Sequence, residues 1–325
     1  MMKQQPELQE YFQGVLPRVE ACISEQLDSL NSYIFPVASH VLGSGGKRLR
    51  PLLCILVAGA MGHREESVYP LASALELVHS ATLLHDDILD NAELRRGARA
   101  AHLVFGMKET ILAGDALLAQ ANQIVSGYGN ADLVSCISQA ISSTVSGEIQ
   151  EIQKMRQTNL SQAEYLDIIK GKTGYLIQSS CESGAILAGN RSAERKVSRI
   201  LGLNLGVAFQ LVDDALDYSP APELGKPMGG DLREGKLTMP LIHFLQELDS
   251  GQRERFLARV KDKALSEEEM ESTMHRIRSR ELHIRAREEA ETYLRTAHEA
   301  LESLPESREK SLLARMLEYI RFREY

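Results

Sequence analysis

Tryptophan is absent from this chain, and aromatic residues supply only 5% of its 325 positions. Valine and isoleucine do not gather in the short alternating runs that mark half-buried strands. That argues against a sheet protein and leaves long helical patterns as the dominant signal. Cysteine is scarce as well: Cys22, Cys54, Cys136 and Cys181 are irregularly spaced, and none belongs to a CxxC pair. This excludes the usual sequence forms of a disulfide framework or a zinc site and fits reduced thiols in the cytoplasm. The opening residues, MMKQQPELQEYF, lack the basic-then-apolar order of a secretory leader. No uninterrupted apolar run reaches about 18 residues, so no transmembrane helix is expected. Excess positive charge is missing too. The formal net charge is −8, which removes the global basic footprint of a nucleic-acid binder. The expectation is an all-α protein forming one domain over residues 1–325, cytoplasmic and without a nucleic-acid partner.

What is present is helical periodicity. An amphipathic stretch runs from Pro6 to Leu42, followed by the glycine-rich basic turn GSGGKRLRP (Gly43 to Pro51) and the apolar run LLCILVAGAMG. Pro51 suits a helix start, where its missing N–H costs nothing. From Pro70 to Asp90, Leu71, Ala74, Leu75, Val78, Ala81 and Leu84 recur at helical spacing. Leu77, Leu83 and Ile88 add apolar residues on other faces, so this helix is expected to be buried nearly all round. A comparable pattern from Ile200 to Tyr218 stops at the SPAP turn, because Pro220 disfavours helix in the residue before it. Further helices are expected over 107–126, 130–155 and 161–189. Beyond a Gly/Pro-rich loop at 219–235, charged helices are expected over 238–262, 265–303 and 307–322. The charged sequence from Leu265 to Arg295 reads as a solvated face with no assigned chemistry.

Two strings read DDxxD: DDILD (Asp86, Asp87, Asp90) and DDALD (Asp213, Asp214, Asp217). In each, the first and last aspartates are four apart and stack on one helix face. The middle one sits about 100° round, near enough to share a cation or a bridging water. Each motif also closes a helix, where the backbone dipole already concentrates negative charge. Three carboxylates there call for compensation, and a hard divalent cation with oxygen ligands, magnesium rather than zinc, supplies it. Both motifs follow strongly apolar stretches, HSATLLH and NLGVAFQLV, which is wrong for a solvated acidic face.

The cationic candidates are Lys47, Arg48 and Arg50 in GGKRLRP, Arg95 and Arg96 in ELRRG, Lys172 in GKTG, Lys226 in GKPMGGD and Lys236 in EGKLT. Most stand in glycine-containing segments, where a backbone can approach a phosphate closely, and arginine offers a planar fork to its oxygens. Singly, each is an ordinary exposed charge. Their association with glycine turns and two acidic motifs points to a diphosphate. GKTG is not a P-loop, since that pattern requires glycine where Leu166 stands.

Five strings in order over residues 43–240, GGKRLRP, HSATLLHDDILDNAELRRG, GKTGYL, FQLVDDALDY and GKPMGGDLREGKLTMP, resemble the trans-isoprenyl diphosphate synthases. The chain is similar to their medium- and long-chain, octaprenyl diphosphate synthase-like members. The resemblance implies the isoprenoid synthase fold, a helical bundle around a central cavity, usually as a homodimer. It implies a cluster of three Mg²⁺ held by Asp86, Asp87, Asp90, Asp213, Asp214 and Asp217. It implies that Asp86, Asp87, Asp90, Lys172, Asp213 and Asp214 are catalytic, and that Arg95, Lys172, Thr173, Gln210, Lys226 and Lys236 contact the allylic diphosphate. Lys47, Arg50, His79 and Arg96 would hold isopentenyl diphosphate. His79 lies seven residues before Asp86 on nearly the same helix face, although a lone helical histidine is usually structural.

The implied reaction is a head-to-tail condensation. Ionisation of the allylic C–O bond leaves diphosphate, metal and lysines take up the developing negative charge, and an apolar cavity keeps water from the carbocation. The isopentenyl double bond attacks, and released diphosphate accepts the last proton, so no side chain is assigned as base. Chain length should depend on Ala81 and Thr82, five and four residues before Asp86, where short-chain members tend to carry aromatics. The two extra residues that many bacterial short-chain members carry in the first motif are absent. Small residues Ala113, Ala116 and Ala119 on the next helix point the same way, to a medium- or long-chain product with transient membrane contact at its release. The alternatives are a short-chain farnesyl or geranylgeranyl synthase, a terpene cyclase or head-to-head synthase, a non-catalytic synthase subunit, and a di-metal carboxylate protein. The last needs paired ExxH motifs, and the sequence shows no such set.

Overall fold

The computed structural model describes residues 5–155, 160–189, 192–219 and 229–323. Helices dominate, and among these residues the only sheet is a two-stranded ladder. The chain divides into two compact units. The first comprises 1–141, 176–199 and 301–315, and the second comprises 142–175, 200–300 and 316–325.

In the first unit, α1 (Pro6–Asp28) and α2 (Phe35–Gly43) replace the single stretch expected over 6–42. Pro36 in the first turn of α2 suits a new start. α3 (Leu49–Ala60) begins two residues before Pro51, and α4 (Val68–Leu89) matches the expected helix closely. As its pattern foretold, α4 is buried on most sides, and Leu71, Ala74, Leu75, Val78, Ala81 and Leu84 expose nothing. Then come β1 (Leu94–Arg95), β2 (Ala98–Arg99), α5 (Ala101–Phe105), α6 (Met107–Ser126) and the first half of α7 (Ala131–Met155). α9 (Tyr175–Leu187) packs backbone to backbone on α3: a Cβ at Gly184 would lie 2.4 Å from the Cys54 carbonyl oxygen. Cys54, Cys136 and Cys181 are all buried in this unit, while Cys22 is half-buried, and all four thiols are free. Burial pushes the Cys181 thiol up to about 12 and raises those of Cys54 and Cys136 as well.

The second unit holds the end of α7, α8 (Gln162–Ile169), a π-helical turn (Lys170–Gly174) and most of α10 (Ser192–Asp217). α11 (Gly230–Glu234), α12 (Met239–Gln246), α13 (Ser250–Lys261), α14 (Glu267–Ser279), nearly all of α15 (Leu282–Glu302) and the end of α16 (Arg308–Arg321), whose first part belongs to the first unit, follow. The expected helix over 238–262 is broken at Asp249, which caps α13 by a reciprocal box with Gln252. The one expected over 265–303 is broken at Glu281, whose backbone is left-handed (φ 57°). Equivalent boxes, Ser161 with Glu164 and Ser266 with Glu269, start α8 and α14.

Within the helix expected over 161–189, GKTG forms a wide π turn that joins α8 to α9. Such π turns are rare and recur at functional sites. Gly147 of α7 meets it directly: a Cβ there would fall 2.7 Å from the Lys172 nitrogen and 2.8 Å from the Gly171 Cα. Gly147→Ala is therefore expected to cost about 1–3 kcal/mol by overpacking against backbone that cannot yield, read as a lowered denaturation midpoint. A wild-type midpoint would show that the turn adapts. Among the described residues, no helix is long and apolar enough to cross a membrane.

Candidate active site

One cluster of candidate residues lies in the first unit, around the loop between α2 and α3. Arg48 adopts left-handed backbone (φ 42°) and sends its side chain inward. Its guanidinium binds Glu76 at 2.9 Å and Glu20 at 2.8 Å, and donates to the Leu42 carbonyl at 2.8 Å. Arg48 is thereby consumed as the anchor of the loop that carries Lys47 and leads into Arg50 in the first turn of α3. Arg50 has a buried Nε without a hydrogen-bond partner. Burial pushes its guanidinium down to about 10; Glu76 opposes the shift and Arg96 adds to it.

Arg95 and Arg96 come from the β1–β2 hairpin, in which Arg95 pairs with Ala98. Arg96 and Gly97 both have positive φ, 52° and 82°, the geometry of a two-residue turn that follows strand twist. The Arg96 guanidinium lies against Gly46, where a Cβ would fall 2.7 Å from Nη1. His79 sits among these cations: burial holds it well below its ordinary range, and Arg50, Arg96, Arg95 and Arg48 push it the same way. The imidazole is thus a neutral hydrogen-bonding group among arginines. Of the five described non-glycine residues with positive φ, Arg48, Asn91 and Arg96 belong to this neighbourhood, the kind of clustering that marks functional sites.

The three aspartates of DDILD have unequal surroundings. Asp87 is buried, and its Oδ1 accepts Nε of Arg95 at 2.7 Å and a second, shorter bond from Nη2. Asp86 and Asp90 are half-buried, one turn apart at the end of α4. Their negative charge, with that of Asp87, raises the Arg95 guanidinium against the effect of its burial.

A separate cluster of candidate residues lies in the second unit. Asp213 is half exposed and pairs with Arg323 at 2.7 Å, and that guanidinium also stacks over Phe209, 4.9 Å from the ring centre. Asp214 is buried and accepts from the Tyr165 hydroxyl and from Gln210 Nε2 at 2.7 Å. Gln210 Oε1 in turn accepts from Thr173 Oγ1 at 2.9 Å. The Asp217 carboxylate accepts the backbone N–H groups of Gly230 and Asp231, at 3.1 and 3.0 Å, and so caps α11. Lys172 binds Glu148 at 2.9 Å and Glu151 more closely. Burial works against its charge, but the two carboxylates outweigh that and keep it protonated. Lys236 pairs with Glu234 at 2.7 Å. Lys226 lies outside the described residues.

Burial pushes the Asp214 carboxyl up to about 7, even though Tyr165 and Gln210 stabilise its charged form and so act the other way. Burial also raises Asp217, and it raises Asp231 strongly, with Asp214 and Asp217 adding repulsion. A set of oxygen donors with surplus negative charge fits a hard dication. Among the described residues, no three His, Cys, Asp or Glu side chains are grouped so as to hold a metal by themselves. A cation here would complete its shell with water and ligand oxygens, the shell Mg²⁺ favours.

Tyr165, Glu76, Glu148, Glu151, Asp231 and Arg323 escaped the sequence reading. Asp231 stands inside the quoted motif GKPMGGDLREGK and could have been taken from it. The others are partners drawn from distant segments and carry no spacing signal.

The family model described as "Polyprenyl synthetase" matches residues 31–277. The chain is 34% identical over 312 residues to octaprenyl diphosphate synthase of Haemophilus influenzae, covering 94% of this chain and 93% of the relative. It is 36% identical to the geranyl-diphosphate-specific all-trans-nonaprenyl-diphosphate synthase of Rhodobacter capsulatus, with 90% of each covered. A crystal structure of polyprenyl synthase from Caulobacter crescentus, complexed with calcium and isoprenyl diphosphate, superposes with a TM-score of 0.91 at 33% identity. It covers 98% of this chain and 97% of that one.

Proposed function

The chain belongs to the polyprenyl synthetase family, and on that premise we infer that it is a trans-prenyltransferase making medium- or long-chain polyprenyl diphosphates. The fold is the all-α one of those enzymes. The observation that carries the reading is the gathering of Arg50, Arg95 and Arg96 around His79, with the buried Nε of Arg50 lacking a hydrogen-bond partner. Guanidinium groups gathered around a neutral imidazole suit a diphosphate. Lys47, Arg50, His79 and Arg96 would hold isopentenyl diphosphate there. Arg95, Lys172, Thr173, Gln210, Lys226 and Lys236 would serve the allylic diphosphate.

Asp86, Asp90, Asp213 and Asp217 are the residues that would hold Mg²⁺, with Asp87 and Asp214 steadying them from buried positions. When bound, the metal supplies Lewis-acid stabilisation of the departing diphosphate. Lys172, kept charged by Glu148 and Glu151, adds a fixed cation for the same negative charge. His79, held neutral, can bond the isopentenyl diphosphate without adding another charge. We further place the whole chain in one catalytic domain, cytoplasmic and homodimeric. Leu103, Val104, Met107, Ile111 and Leu112 on α5 and α6 are 40–64% exposed and offer an apolar face for a second copy. Release of a long apolar product would bring the enzyme to a membrane.

The test is direct. Purified protein with Mg²⁺, labelled isopentenyl diphosphate and farnesyl diphosphate is expected to give label in chains longer than geranylgeranyl. No product, or label-free cyclisation of the allylic substrate, would remove the assignment. Length itself is expected to respond at Ala81, fully buried on α4, and at Thr82, half-buried with its hydroxyl donating to the His79 carbonyl. Ala113 is buried, Ala116 half-buried and Ala119 exposed. Ala81→Phe and Thr82→Phe should each shorten the product distribution, read by chain-resolved chromatography. Unchanged lengths would place the limiting wall elsewhere.

A further inference from the structure

Tyr165 is buried in α8, and its hydroxyl is spent on one acceptor, Asp214 Oδ2. The other oxygen of that carboxylate takes Gln210, and Gln210 takes Thr173. Tyr165 and Thr173 belong to one continuous segment, α8 running into the π turn, while Gln210 and Asp214 are four apart on α10. Two hydroxyls of one segment thus grip two side chains of the other, with every bond accounted for from Thr173 to Tyr165. The wide turn between the two hydroxyls re-aims Thr173 relative to the regular helix before it. The middle aspartate of the second acidic motif is thereby buried with a donor on each oxygen. Its neighbours Asp213 and Asp217 take their direction from the same stretch of α10.

We propose that Tyr165 is a positioning residue of the prenyl-transfer site, fixing Asp214 and through it the presentation of Asp213 and Asp217 to a diphosphate-bound dication. This rests on the reading given under the proposed function. A bond from a neutral donor to a carboxylate is stronger than one between neutral groups. Removing the donor leaves a buried acceptor short of a partner, free to turn toward the cation or to draw its neighbours inward. A tyrosine serving only as packing would not produce that change, because phenylalanine fills the same space.

The experiment uses full-length protein. Tyr165→Phe is expected to lower kcat about tenfold with the KM for isopentenyl diphosphate unchanged. Mn²⁺ binding in the presence of inorganic diphosphate, followed by the electron paramagnetic resonance of free Mn²⁺ and without turnover, should weaken about tenfold as well. The double variant Y165F/D214N is expected to be no worse than D214N, since both act on one carboxylate. Wild-type kcat and Mn²⁺ affinity in Y165F, or strictly additive losses in the double variant, would overturn the proposal. If Y165F does not fold, D214N carries the test: unaltered Mn²⁺ affinity there overturns it too. Failure of the wild-type protein to condense the two substrates would instead strike the functional reading itself, so the two failures are distinguishable.

Discussion

Asp86→Asn is expected to cut kcat by about 10³, the several kcal/mol that a metal's stabilisation of departing negative charge is worth. The substitution keeps the shape of the side chain and removes one charge from the pair that ends α4. Asp90 alone cannot replace it, because the geometry depends on two carboxylates one turn apart on a single face. The backbone dipole at this end opposes both charges, so the variant should fold at least as well as the parent. Circular dichroism and the denaturation midpoint are therefore expected to be unchanged. The KM for isopentenyl diphosphate should move little, since that substrate is assigned to Lys47, Arg50, His79 and Arg96. Raised Mg²⁺ should recover part of the loss. A variant turning over at the parent's rate at equal Mg²⁺ would remove Asp86 from the metal site and weaken the case for the whole motif.

Arg48→Met is the largest stability effect expected, about 3–5 kcal/mol, because breaking a buried pair strands its partner. The side chains of Arg48 and Glu76 are 3% and 2% exposed, so Glu76 has no water to turn to. Glu20, the other partner, is 44% exposed and is expected to matter less. Glu20→Gln should therefore cost only about 1 kcal/mol or less, the usual worth of an exposed pair. The double exchange R48M/E76M removes both charges and is expected to recover most of the loss. Chemical denaturation of the three variants decides the matter. Equal losses in R48M and R48M/E76M would show that shape at this position outweighs charge. The functional effect should follow the stability effect, since the loop anchored by Arg48 carries Lys47 and leads into Arg50 at the start of α3.

Much of this was legible from residues alone, and the parts that were not have physical reasons. α4 and α6 fell close to their expected bounds because one period runs unbroken through each. The helices near 238–303 were merged because both sides of each break are good helix formers. Only the reciprocal box at Asp249 and the left-handed Glu281 show where the chain turns. The six aspartates stood out as strings, yet letters alone could not separate Asp87 from Asp86. That difference lies in Arg95, brought back by a hairpin whose turn needs left-handed backbone at Arg96. Glu76 looked like one more position on an apolar helix, and Tyr165 like one more aromatic. Each owes its role to a partner from elsewhere in the chain, Arg48 and Asp214 respectively. Lys172 was identified as a cation, but its two carboxylate companions on α7 gave no hint in the spacing of GKTG.

The placement of the four sulfurs has a practical corollary. An alkylating reagent meets only Cys22 while the first unit holds together, because the other three lie inside it with their ionisation suppressed. Each further equivalent of label taken up then records an opening of that interior. The protein carries its own gauge of core integrity, readable by mass and needing no added probe.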